Sequence, residues 1–137
     1  MVKKVLVGGV FNLVHPGHVF FLKKAKELGN YLIVVVANNR TAHLTKKYPI
    51  VDQKIRKRNI EKLGIVDKVV VGDRIDFMNV VRKEKPNVIV LGYDQKINEK
   101  ELNKMLTKEE IDCKVVRIKN VLKGYKTSKI VKKNEED

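Results

Sequence analysis

The chain has 137 residues, of which 43% are hydrophobic and 34% are charged. This length fits one domain, and the composition supports a buried core, which excludes disordered and collagen-like chains. Cys113 is the single cysteine, so an internal disulfide framework is excluded and a reducing compartment is favoured. Thirty basic against sixteen acidic residues give a net charge of +14, which attracts polyanions such as nucleotides, nucleic acid or an anionic membrane surface.

The chain carries no signal for membrane insertion or export. No apolar run reaches the roughly 18 to 20 residues that a membrane-spanning helix needs, and the first residues lack the apolar stretch of a signal peptide. We therefore expect a cytoplasmic protein with no membrane partner. Residues 1–131 are expected to form a single domain, followed by a charged tail over residues 132–137.

Predicted strands and helices alternate along the chain. Apolar, β-branched runs that end at glycine or asparagine predict buried strands, and apolar stripes at helical spacing predict helices between them. In chain order the predictions are strand 5–7, helix 18–28, strand 32–37, helix 53–63, strand 69–71, helix 77–85, strand 88–91, helix 99–110 and strand 115–118. This alternation predicts an α/β fold, a doubly wound, Rossmann-like sheet of five parallel strands.

The loop after the first strand has the features of a phosphate site. The ligand sites of open parallel sheets lie outside the carboxyl ends of the strands, and Pro16 and Gly17 mark the start of a helix in this loop. Backbone amides and the helix dipole favour an anion at such a start. His15 and His18 lie on one side of it and are able to bind a shared phosphate. The alternative is that both histidines merely cap the helix or pack against the sheet.

The residues of this loop also resemble a known signature. Residues 9–18, Gly-Val-Phe-Asn-Leu-Val-His-Pro-Gly-His, resemble the G-T-F-D-x-x-H-x-G-H motif of the cytidylyltransferase-like nucleotidyltransferases. Val10 and Asn12 stand where that motif has threonine and aspartate, whereas H-x-G-H is intact. The resemblance continues through residues 21–30, 49–51, 66–69 and 126–130. It implies transfer of a nucleoside monophosphate from a nucleoside triphosphate to a phosphorylated acceptor, with release of pyrophosphate, by a homodimer.

Two further stretches bear on the substrate. Residues 90–95, Val-Leu-Gly-Tyr-Asp-Gln, look most like archaeal FAD synthases, which transfer AMP from ATP to FMN. Gly64 stands where the family's cytidylyltransferases tend to carry a second arginine. FAD synthase is therefore preferred. The alternatives are a CTP-dependent glycerol-3-phosphate cytidylyltransferase or transfer to another phosphorylated acceptor. A nucleic-acid-binding module is disfavoured, because 6% of residues are aromatic and tryptophan is absent.

The resemblance and the loop together nominate site residues. We expect His15 and His18 to be catalytic, and Lys46, Lys47 and Arg56 to clamp pyrophosphate or the acceptor phosphate. A divalent cation, Mg²⁺, is expected to arrive with the triphosphate, held by phosphate oxygens and water, with no metal site of the protein's own. The residues expected to bind the nucleotide are Val10, Phe11, His15, Pro16, Gly17, His18, Asp94, Tyr125, Thr127 and Ser128.

Overall fold

The computed structural model describes residues 2–45, 49–72, 77–92 and 98–118. Strands and helices follow one another along these ranges much as the sequence predicts. The elements are β1 (Lys4–Gly9), α1 (Pro16–Lys26), β2 (Tyr31–Val36), α2 (Asn39–Thr45), α3 (Gln53–Glu61), β3 (Lys68–Val71), α4 (Phe77–Glu84), β4 (Val88–Gly92), α5 (Glu99–Lys108) and β5 (Lys114–Ile118). The predicted domain boundary at residue 131 and the tail 132–137 lie outside the described ranges.

The strands form one sheet in the order β3-β2-β1-β4-β5, and every neighbouring pair is parallel. The predicted doubly wound, five-stranded fold is confirmed. From β1 the chain moves to β2 and β3 on one side, then crosses to β4 on the other side of β1. The connections therefore diverge at the carboxyl end of β1, which is where open α/β sheets bind their ligands.

Helices cover both faces of the sheet. On one face, α1 and α3 bury Leu22 and Ile60 against Val5 and Val7 of β1. On the other face, α4 and α5 pack against side chains such as Leu6 of β1. Successive residues of a strand point to opposite faces, so a central strand that is apolar on both faces must lie between two layers. None of the helices in the described ranges is long and apolar enough to cross a membrane.

Helix α2 is the element that the sequence did not predict. Its side chains show no apolar stripe, since Ala42 is buried whereas Leu44 is 78% exposed, and periodicity therefore gives no signal. The side-chain oxygen of Asn38 accepts a hydrogen bond from the amide of Thr41 at 2.8 Å, which stabilises the first turn. His43 lies on this helix and is exposed.

The thiol of Cys113 is predicted to be unreactive in the folded protein. Burial raises its pKa from 9.0 to about 11. At pH 8 we expect iodoacetamide to modify it about 100-fold more slowly in the native protein than in urea, because the thiolate is the reacting form. The unfolded chain loses this proton at a lower pH than the folded chain, so stability falls as the pH rises from 9.0 towards 11. Mass spectrometry of the alkylated protein gives both rates, and equal rates would contradict the prediction.

Candidate active site

The candidate site lies at the carboxyl end of β1, where Gly9 ends the strand and Pro16 begins α1. The intervening loop runs beside the end of β2, since the amide of Ala37 donates to the carbonyl of Gly9 at 2.9 Å. The predicted position of the site, at the divergence of the chain connections, is therefore where the structure places the two histidines.

His15 and His18 together form the amino-terminal cap of α1. His15 is the N-cap residue, and its Nδ1 accepts a hydrogen bond from the amide of Gly17 at 3.0 Å. The amide of His15 in turn donates to Nδ1 of His18 at 3.2 Å. The two rings are stacked, with centroids 3.8 Å apart and an angle of 28° between their planes. This is a capping box, built here from two imidazoles instead of the usual hydroxyl and carboxylate.

The capping role determines where the ring protons lie. Because Nδ1 of each ring accepts a backbone hydrogen bond, a neutral imidazole must carry its proton on Nε2. Each histidine is thereby held as the tautomer whose Nε2 carries the proton, and Nε2 of His15 is buried. Capping and phosphate binding are consequently compatible functions of the same pair, and the capping alternative does not exclude the predicted one.

The backbone amides of this turn are not directed at a ligand, although the sequence analysis expects them to be. The amide of Gly17 donates to His15 Nδ1, and the amide of His18 donates to the carbonyl of His15 at 2.9 Å. Both are therefore engaged within the turn instead of pointing at a phosphate. The dipole of α1 still favours an anion at this end, and no acidic residue in the first turn opposes it.

The side chains of Val10 and Phe11 lie in the interior. Their exposed fractions are 8% and 2%, so the predicted contact with a nucleotide would fall to their backbone. Phe11 adopts a positive φ of 51°, and its ring packs edge-on against His18 with centroids 5.2 Å apart. A Cβ at Gly9 would lie 2.7 Å from Phe11 Cε2. The glycine thus makes room for the ring that supports His18.

Arg56 lies close to the histidine loop but inside the protein. Its exposed fraction is 0%, and its guanidinium donates to the carbonyl of Val10 at 2.9 Å and to that of Ala37 at 2.7 Å. Burial lowers its pKa and Asp52 raises it, and the group stays charged as arginine does in proteins. A phosphate clamp has to reach the surface of the crevice, so the predicted role of Arg56 does not fit this geometry.

Several predicted site residues lie outside the described ranges: Lys46, Lys47, Asp94, Tyr125, Thr127 and Ser128. The sequence analysis gave no role to Arg117, which donates a hydrogen bond to the carbonyl of Gly92 at the carboxyl end of β4. A charged residue in the otherwise apolar run of residues 115–118 was the available signal. Among the described residues, no group of three or more His, Cys, Asp or Glu side chains could hold a metal ion.

Comparison with known proteins decides the family. A protein-family model described as cytidylyltransferase-like matches residues 6–133 of this chain. The chain belongs to this family. An FAD synthase of Methanothermus fervidus is 46% identical over 130 residues, covering 91% of this chain and 90% of the relative. An FAD synthase of Aciduliprofundum boonei is 45% identical over 116 residues, covering 85% and 78%. The prediction of a nucleotidyltransferase is confirmed.

Solved structures agree on the fold. A structure from Thermoplasma volcanium, described as a lipopolysaccharide core biosynthesis protein, superposes with a TM-score of 0.84 at 42% identity, covering 88% of this chain and 98% of that one. A pantoate-beta-alanine ligase from Francisella tularensis reaches a TM-score of 0.62 at 18% identity, covering 85% and 59%. The second comparison bears on the fold alone.

Replacing Gly9 by alanine tests the packing behind His18. We expect Gly9→Ala to lower the free energy of unfolding by about 1 to 3 kcal/mol, because the new methyl group displaces the Phe11 ring. The neighbouring Gly8→Ala is the matched control, since its nearest atom would lie 3.6 Å away in ordinary contact. Urea denaturation measures stability, and the NMR signals of the His18 ring report its surroundings. Equal stability of the two variants would contradict this packing.

Proposed function

We propose that this protein is an FAD synthase, which transfers AMP from ATP to FMN and releases pyrophosphate. The histidine pair at the divergence of the strand connections carries the proposal, because it places two stacked imidazoles of fixed tautomer at the end of the sheet where open α/β folds bind their ligands. The FAD synthases of two archaea, at 45% and 46% identity, bear out the predicted preference for FMN over the cytidylyltransferase acceptors.

The reaction requires the positioning of two polyanions. An oxygen of the FMN phosphate attacks the α-phosphorus of ATP in line, while the bond from that phosphorus to the bridging oxygen breaks and pyrophosphate leaves with the electron pair. Nε2–H groups of His15 and His18 donate to phosphate oxygens as negative charge develops on the leaving group. No covalent intermediate with the protein is needed.

The surrounding charge supports the same chemistry. The positive end of the α1 dipole and the net charge of +14 both attract ATP and FMN. Lys46 and Lys47 remain our candidates for the phosphate clamp. Asp94 remains the candidate for hydrogen bonding to the base or ribose. Tyr125, Thr127 and Ser128 remain candidates for the rest of the nucleotide site.

A divalent cation, Mg²⁺, belongs to the proposal as the partner of the triphosphate. When bound, it would neutralise phosphate charge and act as a Lewis acid at the phosphoryl group. The histidine loop, residues 10–18, contains no carboxylate side chain, which suits a cation carried mainly by phosphate oxygens and water. A homodimer and a cytoplasmic location remain expectations, the first from the family resemblance and the second from the sequence.

A competition between substrates tests the proposed activity. The purified protein is incubated with ATP, CTP, FMN and glycerol 3-phosphate in the presence of Mg²⁺, and the products are identified by mass spectrometry. We expect FAD, and we expect EDTA to abolish its formation. A cytidylylated glycerol phosphate without FAD would overturn the choice of substrate in favour of the cytidylyltransferase alternative.

Substitutions at His15 separate its capping role from its catalytic role. Asparagine is a good N-cap, so His15→Asn should keep the free energy of unfolding within about 1 kcal/mol of the parent, while His15→Ala should cost about 1 to 2 kcal/mol. Both variants should lower kcat for FAD formation by about 100- to 1000-fold, because both lose the Nε2 donor.

The exposed His43 on α2 provides the control for loss of an imidazole. His43→Asn should leave kcat and stability unchanged. Retention of full activity by His15→Asn would show that His15 serves the helix alone.

A further inference from the structure

A buried polar cluster around Arg56 joins the histidine loop to its neighbours. We call this cluster the Arg56 brace: Arg56, Asn12 and Asn39, with the backbone carbonyls of Val10, Ala37 and Val51. Within it the side chain of Arg56 is fully buried, and the exposed fraction of Asn12 is 1%. Neither side chain is explained by the apolar core around it, and neither has been given a role in the reaction above.

The guanidinium connects three backbone segments. Its Nη1 donates to the carbonyls of Val10, in the histidine loop, and Ala37, at the end of β2. Its Nε donates to the carbonyl of Val51 at 2.6 Å, just before α3. Nη2 donates to the side-chain oxygen of Asn39 at 3.0 Å. One planar group therefore sets the spacing between the loop that carries the histidines and two adjacent segments.

Asn12 makes a second connection between the same segments. Its Nδ2 donates to the carbonyl of Pro49 at 3.2 Å, and its Oδ1 accepts from the amide of Val51 at 2.6 Å. This pair of contacts needs one donor and one acceptor, which an amide supplies and an ionised carboxylate does not. The asparagine that stands in place of the family's aspartate is thus matched to its partners in this chain.

The brace requires the shape of arginine as well as its charge. Four hydrogen bonds leave the guanidinium in fixed directions within one plane. A lysine ammonium carries the same charge but does not reproduce the planar fork. A loss of about 1 Å in the alignment of reacting groups can cost about 100-fold in rate, so the spacing set here bears directly on catalysis.

We propose that Arg56 is a positioning residue for adenylyl transfer, and that it acts by holding the histidine loop against the end of β2 and the segment before α3. This inference rests on the proposed function for its kinetic consequences. Arg56 then contributes to the same reaction by positioning the histidine loop, and not as the expected phosphate clamp. Arg56 then affects the chemical step without contact with ATP or FMN.

The test compares charge with geometry at position 56. We expect Arg56→Lys and Arg56→Gln to lower kcat alike, by about 100-fold, with a smaller effect on KM for ATP. Asn39→Ala removes one acceptor of the guanidinium and keeps its charge, and it also removes the contacts of the Asn39 side chain with the Gln53 amide and with Asp52. Because Asn39 is partly exposed and water can replace it, this variant should fold, and we expect a kcat about 3- to 10-fold lower. Arg58→Gln is the control, since it removes a positive charge from an exposed position of the same helix.

A second measurement reads the position of the loop without using activity. Amide hydrogen exchange over residues 10–18 should speed up in Arg56→Lys and Asn39→Ala and stay unchanged in Arg58→Gln. If Arg56→Lys keeps kcat within about 3-fold while Arg56→Gln weakens pyrophosphate binding at least 10-fold, the residue contacts phosphate and the proposal fails. It also fails if neither Asn39→Ala nor Arg56→Lys changes exchange in the loop. A parent protein that forms no FAD would overturn the proposed function, and the exchange comparison would still decide the role of Arg56.

Discussion

The backbone amides in the first turn of α1 lack the carbonyl partners that the amides of later turns have. The groups that accept their hydrogen bonds instead shape the whole site. In this protein an imidazole ring accepts one of them, from Gly17, and a second ring accepts the amide of the capping residue itself. Each acceptance commits Nδ1 and so places the ring proton on Nε2. A requirement of helix formation thereby fixes the tautomer of two stacked imidazoles at the end of the sheet where open α/β folds bind their ligands.

The turn needs support on two sides. On one side, the ring of Phe11 packs edge-on against His18, and Phe11 has a positive φ that residues other than glycine rarely adopt. On another side, Arg56 donates to the carbonyl of Val10 in the loop, and Asn12 of the loop donates to the carbonyl of Pro49, which is far away in the chain. Packing and hydrogen bonds therefore attach the loop to the interior at more points than the helix cap alone does.

Burial of a guanidinium is costly unless its donors are paired, which explains the density of contacts around Arg56. The acceptors include three backbone carbonyls, each from a different part of the chain. Removal of the arginine would therefore take the same donor group from all three carbonyls, of which that of Val10 is buried. This arrangement ties the integrity of the loop to the packing of α3, although α3 carries none of the proposed reacting groups.

The sequence by itself determined the alternation of strands and helices, the sheet they form and the position of the histidines at the start of α1. Those features follow from local periodicity, from proline and glycine at a helix start, and from a signature of contiguous residues. The tertiary structure decided the existence of α2, the capping box and the interior position of Arg56. An arginine near the start of a predicted helix is expected to be exposed. The burial of Arg56 depends on distant carbonyls such as that of Val10, which lies 46 positions away in the chain. Which polar atoms meet in the interior is set by how segments pack, and no local pattern records that.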